Sequence, residues 1–389
     1  MDARSAISAD LDFLASCDLH RSRRIVLGRQ GPEVEIDGRR VLCFASNDYL
    51  GLAGDDRLVR ASIAALERAG AGAAASPLIS GHMEPHDQLE RELAEWMGSE
   101  AAILFGSGYH ANIGTIAALV GPEDEIFSDA LNHASLIDGC RLARARVSIY
   151  PHRDTRALGR ALEASRARRR LVVTDSVFSM DGDVAPLAEI VALAERARAW
   201  VMVDEAHATG VFGPEGAGLA AALGLGERIT VRMGTLGKAL GGYGAFVAGS
   251  RALIDWLVNR ARAYVYSTAL PPAVVGAVRA AVVIARTEET RRERLWQNAR
   301  RLHAGLAAAG CEPAPLESPI VPLVLGGSRT ALEVARRTLA AGVLAPAIRP
   351  PTVPEGTARL RLTPIATHRA EQIDRAVDVL AGAVAEVRS

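Results

Sequence analysis

The sequence predicts an α/β fold: a large domain built on a mainly parallel β-sheet sandwiched by helices, followed by a smaller α+β domain. Three observations predict it. From about residue 55 to 285, short apolar runs alternate with segments of helical length. Several runs, such as Ala101-Ala-Ile-Leu-Phe105, Leu171-Val-Val-Thr174, Trp200-Val-Met-Val-Asp204 and Ile229-Thr-Val-Arg-Met233, are apolar almost throughout, as strands covered on both faces must be. Beyond about residue 287 the pattern changes to an Arg/Glu-rich helix, two short strand-like runs and a Pro-rich segment.

The elements follow in order. Residues 1–50 read as a helix around Leu11 and Leu14, then a hairpin through Glu33-Val-Glu-Ile36 and Val41-Leu-Cys-Phe44, with Asp37-Gly38 as its turn. The run from Ala273 to Ala285, entered through Pro271-Pro272, reads as a buried helix because it is too short to span a bilayer. Strands are expected at Ile320-Val321 and Leu323-Val-Leu325. A closing helix puts Ile373, Val377, Leu380 and Val384 on one face. The expected division is a segment 1–54 packing with the small domain, a large domain 55–286, and a small domain 287–389.

Composition narrows the function classes. The 389 residues are 49% hydrophobic and 23% charged, with equal numbers of acidic and basic side chains, which fits a globular protein with a sizeable core. Zero net charge gives no electrostatic reason to expect nucleic acid or an anionic membrane as partner. Cys17, Cys43, Cys140 and Cys311 are scattered, with no C-x-x-C pair, so neither a disulfide framework nor a cysteine metal site is expected. No signal peptide is evident, and a cytoplasmic location is expected.

In parallel sheets ligands gather at the carboxyl ends of strands, so the residues after each run are the candidates. Gly106-Ser-Gly108-Tyr-His-Ala111 follows a strand and opens a helix, where backbone N–H groups and the helix dipole favour an anion. The same spacing fits a dinucleotide fingerprint, so this loop alone leaves the cofactor open. Asp204-Glu-Ala-His207 spells the box of nucleic-acid-dependent ATPases. The only Gly-Lys pair, Gly237-Lys238, lies downstream of it without the phosphate-loop pattern, so that reading fails. Lys238 is the only lysine in the chain and sits in a glycine-flanked, nearly uncharged window after a strand. A desolvated amine there loses its proton more easily and becomes a nucleophile or base. His133 and Ser179 follow strand-like runs as well. An anion cradle, an acid, two histidines and an imine-forming lysine are the parts a pyridoxal 5'-phosphate (PLP) site needs.

The chain resembles the α-oxoamine synthases, a group of fold-type I PLP-dependent transferases. The resemblance is carried by Ser46-Asn-Asp-Tyr-Leu-Gly-Leu52, Asn132-His-Ala-Ser-Leu-Ile-Asp-Gly139, Val177-Phe-Ser-Met-Asp-Gly-Asp183, Val203-Asp-Glu-Ala-His207 and Gly234-Thr-Leu-Gly-Lys238. It implies that Lys238 forms the Schiff base with PLP and that Asp204 pairs with the pyridine nitrogen. By the same resemblance His207 and Ser179 address the ring hydroxyl, and His133 stacks on the ring and borders the substrate. Gly108 and Tyr109 lie beside the cofactor, and Thr235 binds its phosphate. Arg349 would hold the amino-acid carboxylate with help from Asn47, and Arg21 and Thr352 would line the substrate site. The family works as a homodimer, so Thr268 is expected to reach the neighbour's phosphate. The segment Ile348 to Thr363 is most similar to the branch that condenses L-alanine with pimeloyl-CoA or a pimeloyl-acyl carrier protein, with loss of carbon dioxide, in biotin synthesis. The alternative within the family is glycine with a different acyl-CoA. One segment departs from the pattern: Gly72-Ala-Ala-Ala-Ser-Pro77 stands where relatives often carry a loop resembling G-S-G-G-S-R.

Overall fold

The computed structural model describes residues 2–388. The chain divides into two compact units. One comprises Asp48–Ser179 and Asp183–Glu293, the other Met1–Asn47, Met180–Gly182 and Arg294–Ser389. The junctions differ from the expected 54/55 and 286/287 because residues 48–54 and 287–293 pack within the larger unit. There Tyr49, Leu50 and Leu52 are fully buried, and Arg291 donates from Nη1 to the Leu50 carbonyl at 2.9 Å and from Nη2 to Asp55 Oδ2 at 2.9 Å.

The larger unit carries a seven-stranded sheet of β1 (Ala101–Phe105), β2 (Glu125–Asp129), β3 (Arg146–Tyr150), β4 (Arg170–Asp175), β5 (Trp200–Asp204), β6 (Val231–Thr235) and β7 (Ala245–Gly249). Their spatial order is β1-β7-β6-β5-β4-β2-β3. Pairs β3–β2, β2–β4, β4–β5 and β5–β6 are parallel, and β7 alone runs against its neighbours β6 and β1. The carboxyl ends of every strand but β7 therefore share one edge of the sheet. β6 starts two residues later than the apolar run suggested, because Gly226–Arg228 close a 3₁₀ turn before it. Strand interiors such as Ile103, Ile126, Val173, Met202, Val231 and Val247 form one apolar cluster with residues of the covering helices.

Those helices are α1 (Asp56–Ala69), α2 (Glu84–Met97), α3 (Gly108–Leu119), α4 (Ala134–Ala143), α5 (Thr155–Ala164), α6 (Leu187–Arg196), α7 (Arg251–Arg260) and α8 (Pro272–Thr287). Ser107 caps α3 by accepting from His110 N at 3.2 Å, and Asp55 caps α1. The apolar run after Pro271 forms α8, which buries one face through Val275, Val278, Val282 and Ile284 and leaves Val283 exposed, so the helix is covered on one side where the run suggested full burial.

In the smaller unit the helix Ala3–Ser16 precedes the expected hairpin, whose strands Glu33–Ile36 and Arg39–Cys43 pair antiparallel. Asp37 and Gly38 both take positive φ at its turn, as a two-residue hairpin of this type requires. The two runs around residue 320 form a single strand, Val321–Gly326, with Pro322 inside it, paired antiparallel to Ala358–Leu362. The closing helix Ala370–Arg388 buries Ile373, Val377, Leu380 and Val384.

Candidate active site

The larger unit gathers Lys238, His207, Asp204, His133, Thr235 and Gly108 at the shared carboxyl edge of the sheet. Asp204 is the last residue of β5, Thr235 the last of β6, and Gly108 opens α3 directly after β1. Lys238 lies three residues beyond β6, in a turn closed by Gly241 N donating to the Lys238 carbonyl at 2.8 Å. Gly241 has φ +61°, and a Cβ there would come within 2.3 Å of Ala53 N, so the glycine flank of the lysine is a packing requirement.

Lys238 Nζ is 2.9 Å from His207 Nε2, and His207 Nδ1 is 2.7 Å from the hydroxyl of Tyr49, which is 1% exposed. An ammonium on Lys238 can only donate. In that state Nε2 accepts, Nδ1 carries the ring proton, and the Tyr49 oxygen receives it. When the amine is neutral the roles can reverse, so the line Tyr49–His207–Lys238 can redistribute one proton without moving heavy atoms.

Asp204 is buried, and its oxygens accept from Asn112 Nδ2 at 2.7 Å and Ala206 N at 2.8 Å. Among the described residues no salt bridge reaches it. Beside it on β4, Asp175 is its register partner and accepts from His133 N at 2.7 Å. Burial first, and then the neighbouring Asp204 charge, push the Asp175 carboxyl well above its ordinary range.

His133 caps α4. Its Nδ1 is 2.7 Å from Ser135 Oγ and accepts from Ser135 N at 3.2 Å; Ser135 Oγ in turn accepts from Asn112 Nδ2 at 2.8 Å. The ring thus has one nitrogen satisfied while the residue stays solvent-exposed. Desolvation of its inner side lowers the imidazole pKa, which favours the neutral ring. Asn112 joins Asp204 to the Ser135–His133 pair.

The remaining candidates are placed as follows. Thr235 Oγ1 donates to the Gly244 carbonyl at 3.2 Å and accepts from Gly237 N at 3.3 Å. Tyr109 donates to Asp138 Oδ2 at 2.5 Å. Ser179 lies half-buried just after the Val177–Val184 bridge, and Thr268 is exposed before α8. Arg21, Asn47, Arg349 and Thr352 belong to the smaller unit. There Arg349 donates to the carbonyls of Asp18 and His20, Arg21 Nη2 to Thr352 Oγ1 at 3.3 Å, and Arg361 Nη1 to Asn47 Oδ1 at 3.0 Å. Sequence reasoning did not single out Tyr49, Asn112, Asp175 or Ser135.

This donor set fits PLP. The cofactor needs a primary amine for its aldehyde, an anion for its ring nitrogen and N–H or hydroxyl donors for its phosphate. Lys238 is such an amine. Asp204 is a buried carboxyl that accepts from the neutral Asn112 and Ala206 donors, and among the described residues no salt bridge reaches it. The N-terminal turn of α3 and Thr235 stand at the same sheet edge.

Comparison with known proteins identifies the family. The family described as aminotransferase class I and II matches residues 39–380. The 8-amino-7-oxononanoate synthase of Anaeromyxobacter dehalogenans is 51% identical over 98% of this chain and 96% of its own. That of Methylococcus capsulatus is 53% identical over 94% and 95%. The chain belongs to the class I and II aminotransferase family, in the group of the 8-amino-7-oxononanoate synthases. Among solved structures, a serine palmitoyltransferase from S. paucimobilis superposes with a TM-score of 0.95 at 32% identity, covering both chains fully. The 8-amino-7-oxononanoate synthase of Francisella tularensis superposes at 0.76 with 27% identity, over 90% of this chain and 99% of that one. The family gives the chain the fold of the fold-type I PLP-dependent enzymes, and its place among the synthases gives the chemistry as acyl transfer.

Proposed function

We propose that the chain condenses L-alanine with a pimeloyl thioester, carried by coenzyme A or acyl carrier protein, to give 8-amino-7-oxononanoate for biotin synthesis. The alanine Cα bonds to the thioester carbonyl carbon, the C–S bond breaks and the thiol leaves. The Cα–carboxyl bond then breaks with release of carbon dioxide, and a proton returns to Cα. The observation that carries this reading is the chain's only lysine, with Nζ 2.9 Å from His207, in the unit that also buries the Asp204 carboxyl among the Asn112 and Ala206 donors.

Pyridoxal phosphate, when bound, supplies an electron-withdrawing ring conjugated to the amino-acid nitrogen, which stabilises negative charge at Cα. Lys238 would hold its aldehyde carbon, Asp204 its ring nitrogen, Thr235 and the first turn of α3 its phosphate, and His207 and Ser179 its hydroxyl. Asp204 would keep the ring nitrogen protonated, with its carboxyl fixed for that task by Asn112 and Ala206. The Lys238 amine, when free, would remove the Cα proton. His207, backed by Tyr49, shares the proton on Nζ. His133, neutral and anchored through Nδ1, offers a flat face against the ring. Arg349 is suited to a bidentate grip on a carboxylate, with Arg21, Asn47 and Thr352 lining the substrate site. We further propose a homodimer in which Thr268 serves the neighbour's phosphate.

The high superposition with a serine palmitoyltransferase favours a second reading, serine with a long acyl thioester, but identity separates the two: 32% there against 51% for the pimeloyl-using group. The test is a panel of alanine, glycine and serine against pimeloyl, acetyl and palmitoyl thioesters, read by thiol release. Alanine with pimeloyl should be fastest by at least ~10-fold, a margin a pocket differing by a methylene can supply. Borohydride reduction followed by peptide mapping should place the pyridoxyl mass on Lys238. Faster turnover of serine or glycine, or no adduct at Lys238, overturns the reading.

A further inference from the structure

We propose that His152, bonded through one ring nitrogen to Asp129 and through the other to Asp183, is a positioning residue that ties the loop bearing His133 to the loop bearing Ser179. The inference rests on the reading of His133 and Ser179 as residues that face the cofactor.

Asp129 is the last residue of β2. Its Oδ1 lies 2.9 Å from His152 Nδ1 and accepts from Leu131 N at 2.9 Å; its Oδ2 accepts from Arg153 N at 2.9 Å. Four residues later His133 caps α4, so Asp129 anchors the start of that loop. Asp183 anchors the other: its carbonyl accepts from Phe178 N at 3.0 Å beside the Val177–Val184 bridge, and Ser179 follows Phe178 directly. Asp183 Oδ2 lies 2.7 Å from His152 Nε2 and 3.1 Å from Arg153 Nη1. The imidazole also stands edge-on to the buried Phe178 ring, centroids 4.4 Å apart at 87°. One side chain, in the turn after β3, therefore grips two strand-end loops that no covalent path of fewer than about forty residues connects.

Two carboxylates on two ring nitrogens require two N–H donors, hence the imidazolium. Burial works against that charge, but Asp129 and Asp183 outweigh it and hold the ring up to about 9. The charged groups facing the ring are Asp129, Asp183 and Arg153, and the Tyr150 phenol at the end of β3 lies near Asp129. A pKa raised above the ordinary 6.5 means that the clamp is fully formed below that pH and is lost as pH rises through about 9. A neutral imidazole can donate to only one carboxylate and turns a lone pair on the other. Arg153 remains paired with Asp183, so removing the imidazole leaves one link and the fold in place.

The experiment compares wild type with His152→Gln, and with Asp183→Asn as the second variant. Amide hydrogen exchange on the chain without cofactor, at pH 7, reads the loops directly. Both 129–133 and 177–179 should exchange on the order of 10-fold faster in each variant, with the strand interiors of β4 and β5 unchanged. With cofactor bound, kcat/KM for alanine should fall by ~10–100-fold, as for other misaligned catalytic groups, and the wild-type decline above about pH 9 should be absent from His152→Gln. Unchanged exchange in both variants, loosening of one loop only, or a retained alkaline decline overturns the proposal. If wild type itself releases no thiol with alanine, the functional reading falls, while the exchange result still decides whether the clamp exists.

Discussion

Lys238 Nζ and the Tyr49 hydroxyl touch opposite nitrogens of one imidazole, His207, at 2.9 and 2.7 Å. The amine's proton is thus linked to a phenol that is fully buried and comes from the start of the unit, nearly two hundred residues earlier in the chain. Tyr49→Phe removes that partner and leaves His207 Nδ1 facing an apolar ring. The tautomer with Nε2 free to accept from Lys238 then loses its support. A lost hydrogen bond of this kind costs about 1–2 kcal/mol, so kcat should fall on the order of 10-fold while KM for alanine changes little. Steady-state kinetics of the variant check this; a change confined to KM would detach Tyr49 from the lysine.

Asp204 offers a sharper test of the electronic role. Asp204→Asn keeps the volume and can still accept from Ala206 N, but a carboxamide cannot pair as an anion with a protonated ring nitrogen. Cofactor should still bind, and kcat should fall by roughly 10²–10³-fold, the scale of losing one preorganised electrostatic contact. Absorbance of bound cofactor and thiol release measure the two separately. Activity within a few-fold of wild type would mean that the carboxylate serves only the local fold.

Much of this arrangement was legible in the sequence, and the reason is physical. Strands buried on both faces must be apolar throughout, so β1, β4 and β5 announce themselves, and the polar residue ending each one is then conspicuous. Lys238 stood out because arginine fills every other cationic position. The missing parts have no such signature. β3 is an edge strand with Val147 and Ile149 exposed, so its pattern lacks a covered face. Asn112 and Ser135 are neutral helix residues whose importance comes from a shared contact across α3 and α4. Asp175 reads as one more strand-end acid until the register places it beside Asp204. Tyr49 lay inside a segment that carried the family resemblance, but only the folded chain aims its hydroxyl at His207.

His368, in the smaller unit, makes a pH prediction independent of catalysis. The ring is 5% exposed, stacked on Phe44 at 4.5 Å, and its Nδ1 accepts from Ile365 N at 3.0 Å. Burial pulls its pKa down from 6.5 to about 4, so the native ring is neutral where the unfolded one is protonated. The contribution is complete above pH 6.5 and is lost as pH falls toward 4, up to about 3 kcal/mol for a shift of this size. Denaturant unfolding of wild type between pH 7.5 and 4 should show this loss. His368→Asn should be less stable at pH 7.5 and lose less on acidification; parallel pH curves for the two would exclude His368 as the source.

The loop that departs from the family pattern carries its own strain. Ala74 is exposed and has φ +60°, a left-handed conformation in which Cβ crowds the following carbonyl. Relief of that crowding is worth about 1–2 kcal/mol, and the extra freedom glycine gives the unfolded chain takes back about 0.4–1 kcal/mol. Ala74→Gly should therefore raise stability by about 1 kcal/mol, where an alanine-to-glycine change at an ordinary exposed site lowers it. The neighbouring Ala75 carbonyl accepts from Ala269 N at 3.0 Å, next to Thr268, so the same change should keep that bond and leave activity within a few-fold. Thermal unfolding measured alongside a control such as Ala64→Gly, within α1, separates the two effects. A loss at position 74 equal to the control's would show that the backbone there does not hold its positive φ.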